Sequence, residues 1–269
     1  MPELPEVEAI CRKLRAEALG ARIVRLHIER PSAVRPQSVD AVEGPVAGRV
    51  LDAVIRRGKN ILLHLSGGLV VRVHLRMTGK LYVAPDVRFR PASTRAWMEL
   101  DGGRGLVFAD SRALGKLHLH TAAEMEGVLD GVGMEPLSPE FTLAWFLEVA
   151  GRSRKPAKLF LMDQQHIAGL GNIYAAEALH RARVNPVRPL AGLRRPKLQA
   201  LYTAIREVVE EAVGSAVLAY SEPGRFEEAE GFSCAVYGRE GEPCFRCGRS
   251  IRRIRQGGRS TYYCPGCQR

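Results

Sequence analysis

The chain begins with a proline and a glutamate whose chemistry depends on their place at its end. Pro2 follows Met1, and because proline is small we expect Met1 to be trimmed, which leaves a free secondary amine. An α-amino group titrates near about 8 and keeps a usable neutral fraction at physiological pH, whereas a lysine does not. Such an amine can attack a sugar aldehyde carbon and form an iminium, with Glu3 as a candidate acid or base. The alternative is ordinary helix capping, which also favours proline and glutamate at a helix start.

Four cysteines near the other end of the chain are spaced as metal ligands. Cys244 and Cys247 form one pair, and Cys264 and Cys267 form the second pair. Two Cys-x-x-Cys pairs are typical of a zinc site closed across a β-hairpin. Because four thiolates fill a tetrahedral shell and leave no position for a substrate, the spacing predicts one structural Zn²⁺.

The segment that contains these cysteines is strongly basic. Residues 239–269 hold eight arginines against two glutamates, and the whole chain has a net charge of +11 and a pI of about 9.7. Guanidinium groups grip phosphate oxygens bidentately. The charge therefore indicates a polyanionic partner.

Three further groups of residues could contact such a partner. The stretch 169–172, Gly-Leu-Gly-Asn at a predicted helix start, offers backbone N–H groups and a capping side chain to an anion. Lys59 follows a glycine in a predicted turn. Met77, Arg112 and Leu114 lie on predicted loops, from which side chains could be pushed into a base stack. Each is also compatible with an ordinary surface or turn position.

The elements that must position these residues fall into a strand-rich part and a helical part. A helix is predicted at 3–19 and a loop-like segment at 31–48. Short strands separated by glycine turns suggest an antiparallel sandwich or barrel; they are predicted at 22–29, 50–55, 61–65, 69–75, 82–83, 96–100, 106–109 and 117–120. Helices are predicted at 122–130, 141–150, 158–165, 173–183 and 196–214.

The composition is that of an ordinary globular protein, with 46% hydrophobic and 26% charged residues. No run of 18 apolar residues and no secretory leader is evident, so we expect no membrane span and a cytoplasmic location.

These motifs together resemble the bacterial formamidopyrimidine-DNA glycosylase / endonuclease VIII family, over essentially the whole chain. The most specific stretches are residues 2–8 (PELPEVE), the segments 162–165 (MDQQ) and 169–177 (GLGNIYAAE), and the terminal cysteine hairpin. The resemblance implies an α+β fold with two domains. The implied domains are an antiparallel β-sandwich with an N-terminal helix at 1–121, a hinge at 122–140, a helix–two-turn–helix domain at 141–238 with a lesion loop at about 215–238, and a zinc finger at 239–269.

The resemblance also implies site residues and an activity. Pro2 would form a Schiff base with a damaged nucleotide in double-stranded DNA, Glu3 would move protons, and Lys59 would lie near the lesion. Met77, Arg112 and Leu114 would replace the flipped base. Asn172 and Arg259 would hold the DNA backbone. The implied enzyme is a monomeric glycosylase that removes oxidised purines and cleaves abasic sites by β,δ-elimination.

Two departures from the family pattern bear on specificity. Leu114 stands where a phenylalanine is more usual, and Ser93-Thr94-Arg95 replaces a His-Asp-His segment. The alternatives are an endonuclease VIII-like enzyme for oxidised pyrimidines, a non-catalytic zinc protein that binds damaged DNA, and an RNA-binding zinc-ribbon protein.

Overall fold

A computed structural model describes residues 1–220 and 228–269, which divide into two compact units. The first unit comprises Met1–Asp130 and Ala216–Glu230, and the second comprises Gly131–Ser215 and Gly231–Arg269. Within the predicted lesion loop at about 215–238, residues 221–227 lie outside the described residues.

The first unit is a sandwich of two four-stranded antiparallel sheets, as predicted. Its strands are β1 (Ile23–Ile28), β2 (Leu51–Arg57), β3 (Asn60–Leu65), β4 (Leu69–His74), β5 (Gly79–Ala84), β6 (Thr94–Leu100), β7 (Gly105–Asp110) and β8 (Lys116–Thr121). One sheet has the order β1-β6-β7-β5 and the other β2-β3-β4-β8. Alternate residues of both sheets share one apolar core, as expected for strands with one face buried.

Helix α1 (Leu4–Ala18) packs its apolar face on this core. Val7, Ile10, Leu14 and Ala18 are all at most 2% exposed, as their helical spacing predicted. The helix is thereby fixed against the sandwich, which fixes the position of the residues at its start.

The loop predicted at 31–48 contains a second helix, α2 (Val39–Val46). Ser38 caps it by accepting the N–H of Ala41 at 3.4 Å, and Val42 and Val46 are buried in the core. The prediction missed this helix because Gly44 and Pro45 lie within it and obscure its periodicity. Helix α3 (Ala122–Leu129) follows β8.

The second unit is helical, with α4 (Leu143–Gly151), α5 (Ala157–Leu161), α6 (Asn172–Arg181) and α7 (Arg195–Ala219), whose last residues belong to the first unit. The helix predicted at 158–165 ends at Leu161. Gln164 instead binds the following turn, since its side chain accepts the N–H of Gly169 at 2.9 Å and donates to Leu170 O at 2.8 Å. No helix among the described residues is long and apolar enough to cross a membrane.

The chain ends in a β-hairpin formed by β9 (Arg252–Gln256) and β10 (Arg259–Tyr263). The hairpin lies between the two cysteine pairs, as predicted, and β10 packs against α6. Its small core consists of Ala176, Val236, Cys244, Ile251 and Cys264.

Candidate active site

The start of α1 holds the N-terminal residues in a fixed arrangement. The backbone N–H of Glu3 donates to Glu6 Oε2 at 2.7 Å, and Glu6 Oε1 accepts the N–H of Ala229 at 3.1 Å. The Glu3 and Glu6 residues are 3% and 1% exposed. A buried carboxylate that accepts backbone N–H groups is costly to displace. The carboxylate of Glu6 therefore holds the backbone of Glu3, the residue after Pro2, against Ala229.

Charges surround the amine at the chain start. Burial lowers the pKa of the α-amino group of Met1, the carboxylates of Glu3 and Glu6 raise it, and the cations of Lys59 and Arg112 lower it again; the net pKa is lowered. The same ammonium pairs with the carboxylate of Glu228. The sandwich thus brings Lys59 and Arg112, which are far from the N-terminus in the sequence, within electrostatic reach of the α-amine that precedes Pro2 and Glu3.

An open cleft of about 220 Å³ lies beside Pro2. It is lined by Pro2, Met77, Thr78, Gly79, Lys80, Ser111, Tyr220 and Glu228. Two loops of the sandwich, together with Tyr220 and Glu228, therefore form one concave surface next to the N-terminal amine.

Lys59 occupies the tight turn between β2 and β3. Gly58 supplies the left-handed backbone of this turn, with φ +57°. Asn60 bridges the turn to the sheet, because its Nδ2 donates to Arg57 O at 3.0 Å and its Oδ1 accepts Arg72 Nε at 2.9 Å. Lys59 is only 7% exposed, so it is placed by the fold and does not behave as a free surface lysine.

Met77, Arg112 and Leu114 all lie on exposed turns of the first unit. Met77 is 40% exposed and Leu114 is 43% exposed, so both side chains are accessible to another molecule. Arg112 is exposed beside them. Their placement fits a role at a surface that another molecule covers.

Asp110, a residue that the sequence did not single out, organises the turn that carries Arg112 and Leu114. Its carboxylate is 1% exposed and accepts the N–H groups of Arg112 at 3.1 Å, Leu114 at 2.8 Å and Gly115 at 2.7 Å. The only sequence signal is an aspartate at the end of a strand before a turn, where side-chain-to-backbone hydrogen bonds are common.

His74, at the end of β4, lies in a cationic neighbourhood. Burial, followed by the charges of Arg76, Arg72 and Lys59, lowers the pKa of its imidazole to about 4. Its Nδ1 accepts the N–H of Arg76 at 3.1 Å, which requires the unprotonated nitrogen. Such a group of cations suits an anionic partner.

The second unit holds Asn172 and Arg259 on packed elements. Asn172 is the first residue of α6, and Gly171 occupies the capping position that the sequence assigned to Asn172. The Asn172 Oδ1 is buried and has no hydrogen-bond partner among the described residues. Arg259 is exposed at the start of β10. Because β10 packs on α6, the two predicted backbone contacts lie on neighbouring elements.

The four cysteines form a closed metal site. Their Sγ atoms all lie within 4.8 Å of one another; Cys244 and Cys267 are 3.9 Å apart and Cys247 and Cys264 are 3.4 Å apart. These separations suit a tetrahedral ion with metal–sulfur bonds of about 2.3 Å. The site therefore fits one structural zinc ion, as predicted.

Two buried charged residues of the second unit, Glu177 and Lys158, bind segments that lie nearer the C-terminus. Glu177 on α6 accepts the N–H groups of Ala235, Val236 and Tyr237 at 2.7–3.0 Å; burial raises the pKa of its carboxyl although these hydrogen bonds lower it. Lys158 on α5 is 0% exposed. No local sequence pattern predicts either role, because each residue joins segments that are far apart in the chain.

Comparisons with known proteins cover both units. Residues 1–117 match the formamidopyrimidine-DNA glycosylase N-terminal domain, residues 132–220 the formamidopyrimidine-DNA glycosylase H2TH domain, and residues 241–269 a zinc finger found in FPG and IleRS.

A relative from Pelotomaculum thermopropionicum named formamidopyrimidine-DNA glycosylase is 38% identical over 278 residues, which cover 100% of this chain and 99% of the relative. Two solved structures are also similar. A mutant FPG of Lactococcus lactis in complex with Fapy-dG-containing DNA has a TM-score of 0.90 and 29% identity, and a MutM in complex with DNA containing carbocyclic 8-oxo-G has a TM-score of 0.89 and 29% identity. Each match covers 99% of both chains.

Proposed function

This chain belongs to the formamidopyrimidine-DNA glycosylase family, and from that premise we propose that it removes oxidised purines from double-stranded DNA and cleaves the resulting abasic site. The observation that carries the proposal is the cleft that Pro2 lines together with Met77, where the α-amine of the preceding Met1 lies within electrostatic reach of Glu3, Lys59 and Arg112. The relatives bound to DNA containing Fapy-dG or 8-oxo-G support the lesion class.

The reaction begins when the neutral nitrogen of Pro2 attacks C1′ of the damaged nucleotide. The bond from C1′ to the base breaks, its electron pair leaves with the base, and the proton of the ammonium formed at Pro2 passes to the departing base. The Pro2 nitrogen then forms a double bond to C1′ as the bond to the ring oxygen breaks, and Glu3 delivers a proton to that oxygen. The product is an iminium that joins the enzyme to an open sugar.

Elimination follows from this iminium because it acidifies the hydrogens on C2′. Loss of one of these protons breaks the bond from C3′ to its phosphate oxygen, and loss of the C4′ proton then breaks the bond from C5′ to the oxygen of the other phosphate. Water hydrolyses the remaining iminium, which frees the Pro2 amine and releases the sugar remnant as an unsaturated aldehyde. A one-nucleotide gap with a phosphate at each end remains. Glu3 is the group placed to move these protons.

The side chains on the two exposed turns fill the duplex while the base is outside it. Flipping costs a few kcal/mol, less for a damaged base, and inserted side chains offset the cost. We assign Met77 and Leu114 to the space left in the stack. Arg112 can hydrogen-bond the partner base, which favours purine lesions opposite cytosine.

DNA affinity comes from the second unit in this proposal. Asn172 and Arg259 contact phosphates, and the zinc ion holds the hairpin that carries Arg259. Every proposed group belongs to one chain, so we propose a monomer, which meets its substrate in the cytoplasm that holds the bacterial chromosome.

Borohydride trapping tests the covalent step. The reagent reduces an iminium to a stable amine, so wild-type protein and abasic DNA must give a cross-linked product. A tag that blocks the N-terminus must abolish it, as must the combined Pro2→Gly and Glu3→Gln substitutions. Glu8→Gln, on the same helix but ion-paired to Arg12 and Arg56, is the control that must still trap. A DNA-binding protein that never cross-links would be a non-catalytic damage binder.

A lesion panel tests the substrate class. Duplexes carrying 8-oxoguanine, formamidopyrimidine or thymine glycol, each opposite all four bases, should be cleaved fastest at the two purine lesions opposite cytosine. Preference for thymine glycol would place the chain with the endonuclease VIII-like enzymes, while leaving the covalent step intact.

A further inference from the structure

The two turns that carry the proposed inserting side chains are both held in an unfavourable backbone conformation. Arg76, just before Met77, has φ +56°, and Ala113, between Arg112 and Leu114, has φ +55°. Residues other than glycine adopt this left-handed region only where surrounding contacts hold them. The turns are therefore maintained by specific interactions.

The hydroxyl of Thr78 supplies an interaction between the two turns. Thr78 Oγ1 donates to Asp110 Oδ1, and the same oxygen accepts the backbone N–H of Arg112 at 3.2 Å. Thr78 follows Met77 in one turn, whereas Arg112 lies in the other. The hydroxyl and the buried Asp110 carboxylate thus connect the two turns directly.

Gly79 follows Thr78 in the first turn and Gly115 follows Leu114 in the second, and both allow the backbone to pack closely against neighbouring atoms. A Cβ atom on Gly79 would lie 2.4 Å from Leu75 O, and one on Gly115 would lie 2.6 Å from Phe108 Cζ and 3.2 Å from Asp110 Oδ2. The 2.4 and 2.6 Å separations are too short for a Cβ atom. Glycine therefore lets the first turn close on Leu75, and it lets the second turn lie against Phe108 and Asp110 of β7.

We propose that Thr78 is a positioning residue that couples the two turns, so that Met77, Arg112 and Leu114 enter the duplex as one preformed unit. The proposal rests on the proposed function, because it concerns how the space of the extruded base is filled. A preformed set of side chains loses less conformational freedom on binding than two independently moving turns. Coupling should therefore matter only where a base must be replaced in a stack.

The experiment compares Thr78→Val, which removes the hydroxyl at nearly constant volume, with Thr78→Ser, which keeps it. For 8-oxoguanine opposite cytosine in a duplex, Thr78→Val should lower kcat/KM by about tenfold. The change should appear mainly in KM, because the buried carboxylate of Asp110 loses a hydrogen-bond donor and the two turns no longer bind the DNA as one unit. Thr78→Ser should restore kcat/KM to within about twofold. The preference for cytosine over adenine as partner base should fall in Thr78→Val and recover in Thr78→Ser.

Cleavage of a single-stranded abasic oligonucleotide separates this role from the proposed function. No partner base or stack is replaced there, so the loss of kcat/KM in Thr78→Val should be several-fold smaller on this substrate than on the duplex. Equal losses on single-stranded and duplex substrates, or unchanged excision from the duplex, would overturn the positioning role alone. Failure of the wild-type protein to trap on any abasic DNA would overturn the proposed function, and the positioning role with it.

A double-mutant cycle and a matched control complete the design. In an Arg112→Ala background, Thr78→Val should lower kcat/KM much less than in the wild type, since part of its effect acts through Arg112. Full additivity of the two losses would contradict the coupling.

Thr142→Val removes a hydroxyl that accepts the N–H of Trp145 at 3.2 Å in the cap of α4. This control loses one hydrogen bond at a site unrelated to the two turns, and it should leave the cytosine preference unchanged.

Discussion

At the scale of single residues, burial and the cations around the first unit's cleft lower the pKa of two nitrogen bases, the N-terminal α-amine and the imidazole of His74. Burial lowers the pKa of the α-amine of Met1 and that of His74, and the charge of Lys59 lowers both further. A positive charge disfavours the protonated form of any nearby base. We propose that Lys59 acts in the same way on the amine of Pro2 once Met1 is removed, and that it also adds to a cationic surface for phosphate.

Lys59→Ala should raise the pKa of both nitrogens. In the wild type we expect the imidazole of His74 to titrate with a pKa of about 4, against an ordinary value of 6.5. In the variant, the pKa of His74 and the pKa of the Pro2 amine should both be higher. NMR titration of the imidazole and of ¹⁵N-labelled proline measures both. Unchanged values in the variant would remove this role for Lys59.

The sign of the pH dependence follows from the direction of the His74 shift. The folded pKa lies below the unfolded value, so protonation opposes folding. The contribution of His74 to stability is therefore complete above pH 6.5 and is lost as the pH falls from 6.5 towards 4. Urea unfolding across this window should show a smaller decrease for His74→Asn than for the wild type.

At the scale of elements, the β9–β10 hairpin is held in place by the side chain of Lys158 on α5 as well as by the zinc site. Lys158 Nζ donates to Ser260 O at 2.8 Å and to Thr261 Oγ1 at 2.7 Å. Gln256 Nε2 also donates to Pro186 O at 3.1 Å. These contacts fix β10 just after Arg259, so the direction of that arginine depends on α5.

Lys158→Met should weaken DNA binding without loss of zinc. The substitution leaves Ser260 O and Thr261 Oγ1 without this buried donor, a loss of about 1–3 kcal/mol, and loosens the strand that starts at Arg259. Fluorescence anisotropy measures the affinity, and metal analysis the zinc content. Lys197→Met, at a half-buried lysine that donates to Arg183 O, is the control. Unchanged affinity in Lys158→Met would contradict the dependence of Arg259 on α5.

At the scale of the whole molecule, the two units should respond differently to loss of the metal. The hairpin core is small and includes two of the ligands, Cys244 and Cys264, whereas the sandwich has its own large core. Zinc can supply on the order of 10–16 kcal/mol to such a segment. The finger should therefore unfold without zinc while the sandwich persists.

Chelation, or Cys244→Ser, should expose the amides of residues 239–269 to hydrogen exchange and abolish DNA binding. Amides of β3 and β4 should stay protected. Cys11→Ser, at a buried cysteine outside the metal site, is the control for loss of a thiol. A folded, zinc-free and fully active Cys244→Ser variant would refute the structural role of the metal.

The net charge of +11 predicts binding that weakens steeply with salt. Arg259→Ala should weaken binding equally on all sequences and reduce the salt slope by about one. Arg25→Ala, at an exposed arginine paired with Glu99 at 2.7 Å, is the control. A loss that varies with DNA sequence would indicate base contact and not phosphate contact.

The sequence by itself determined the features that are written locally in the chain. The spacing of the four cysteines predicted the zinc site, the short strands separated by glycine turns predicted an antiparallel sandwich or barrel, and the positions of Val7, Ile10, Leu14 and Ala18 predicted the buried face of α1. These features depend on the fixed periods of helices and strands and on ligand spacing, which a sequence shows directly.

Only the tertiary structure decided which distant residues meet. The links from Thr78 to Arg112, from Lys158 to Ser260, and from Glu177 to Val236 join segments separated by 34, 102 and 59 positions. The same holds for Gln37, whose side chain pairs with both backbone groups of Leu119 on the edge strand β8. Such pairs follow from the register of strands and the packing of helices, and no local pattern of residue types specifies them.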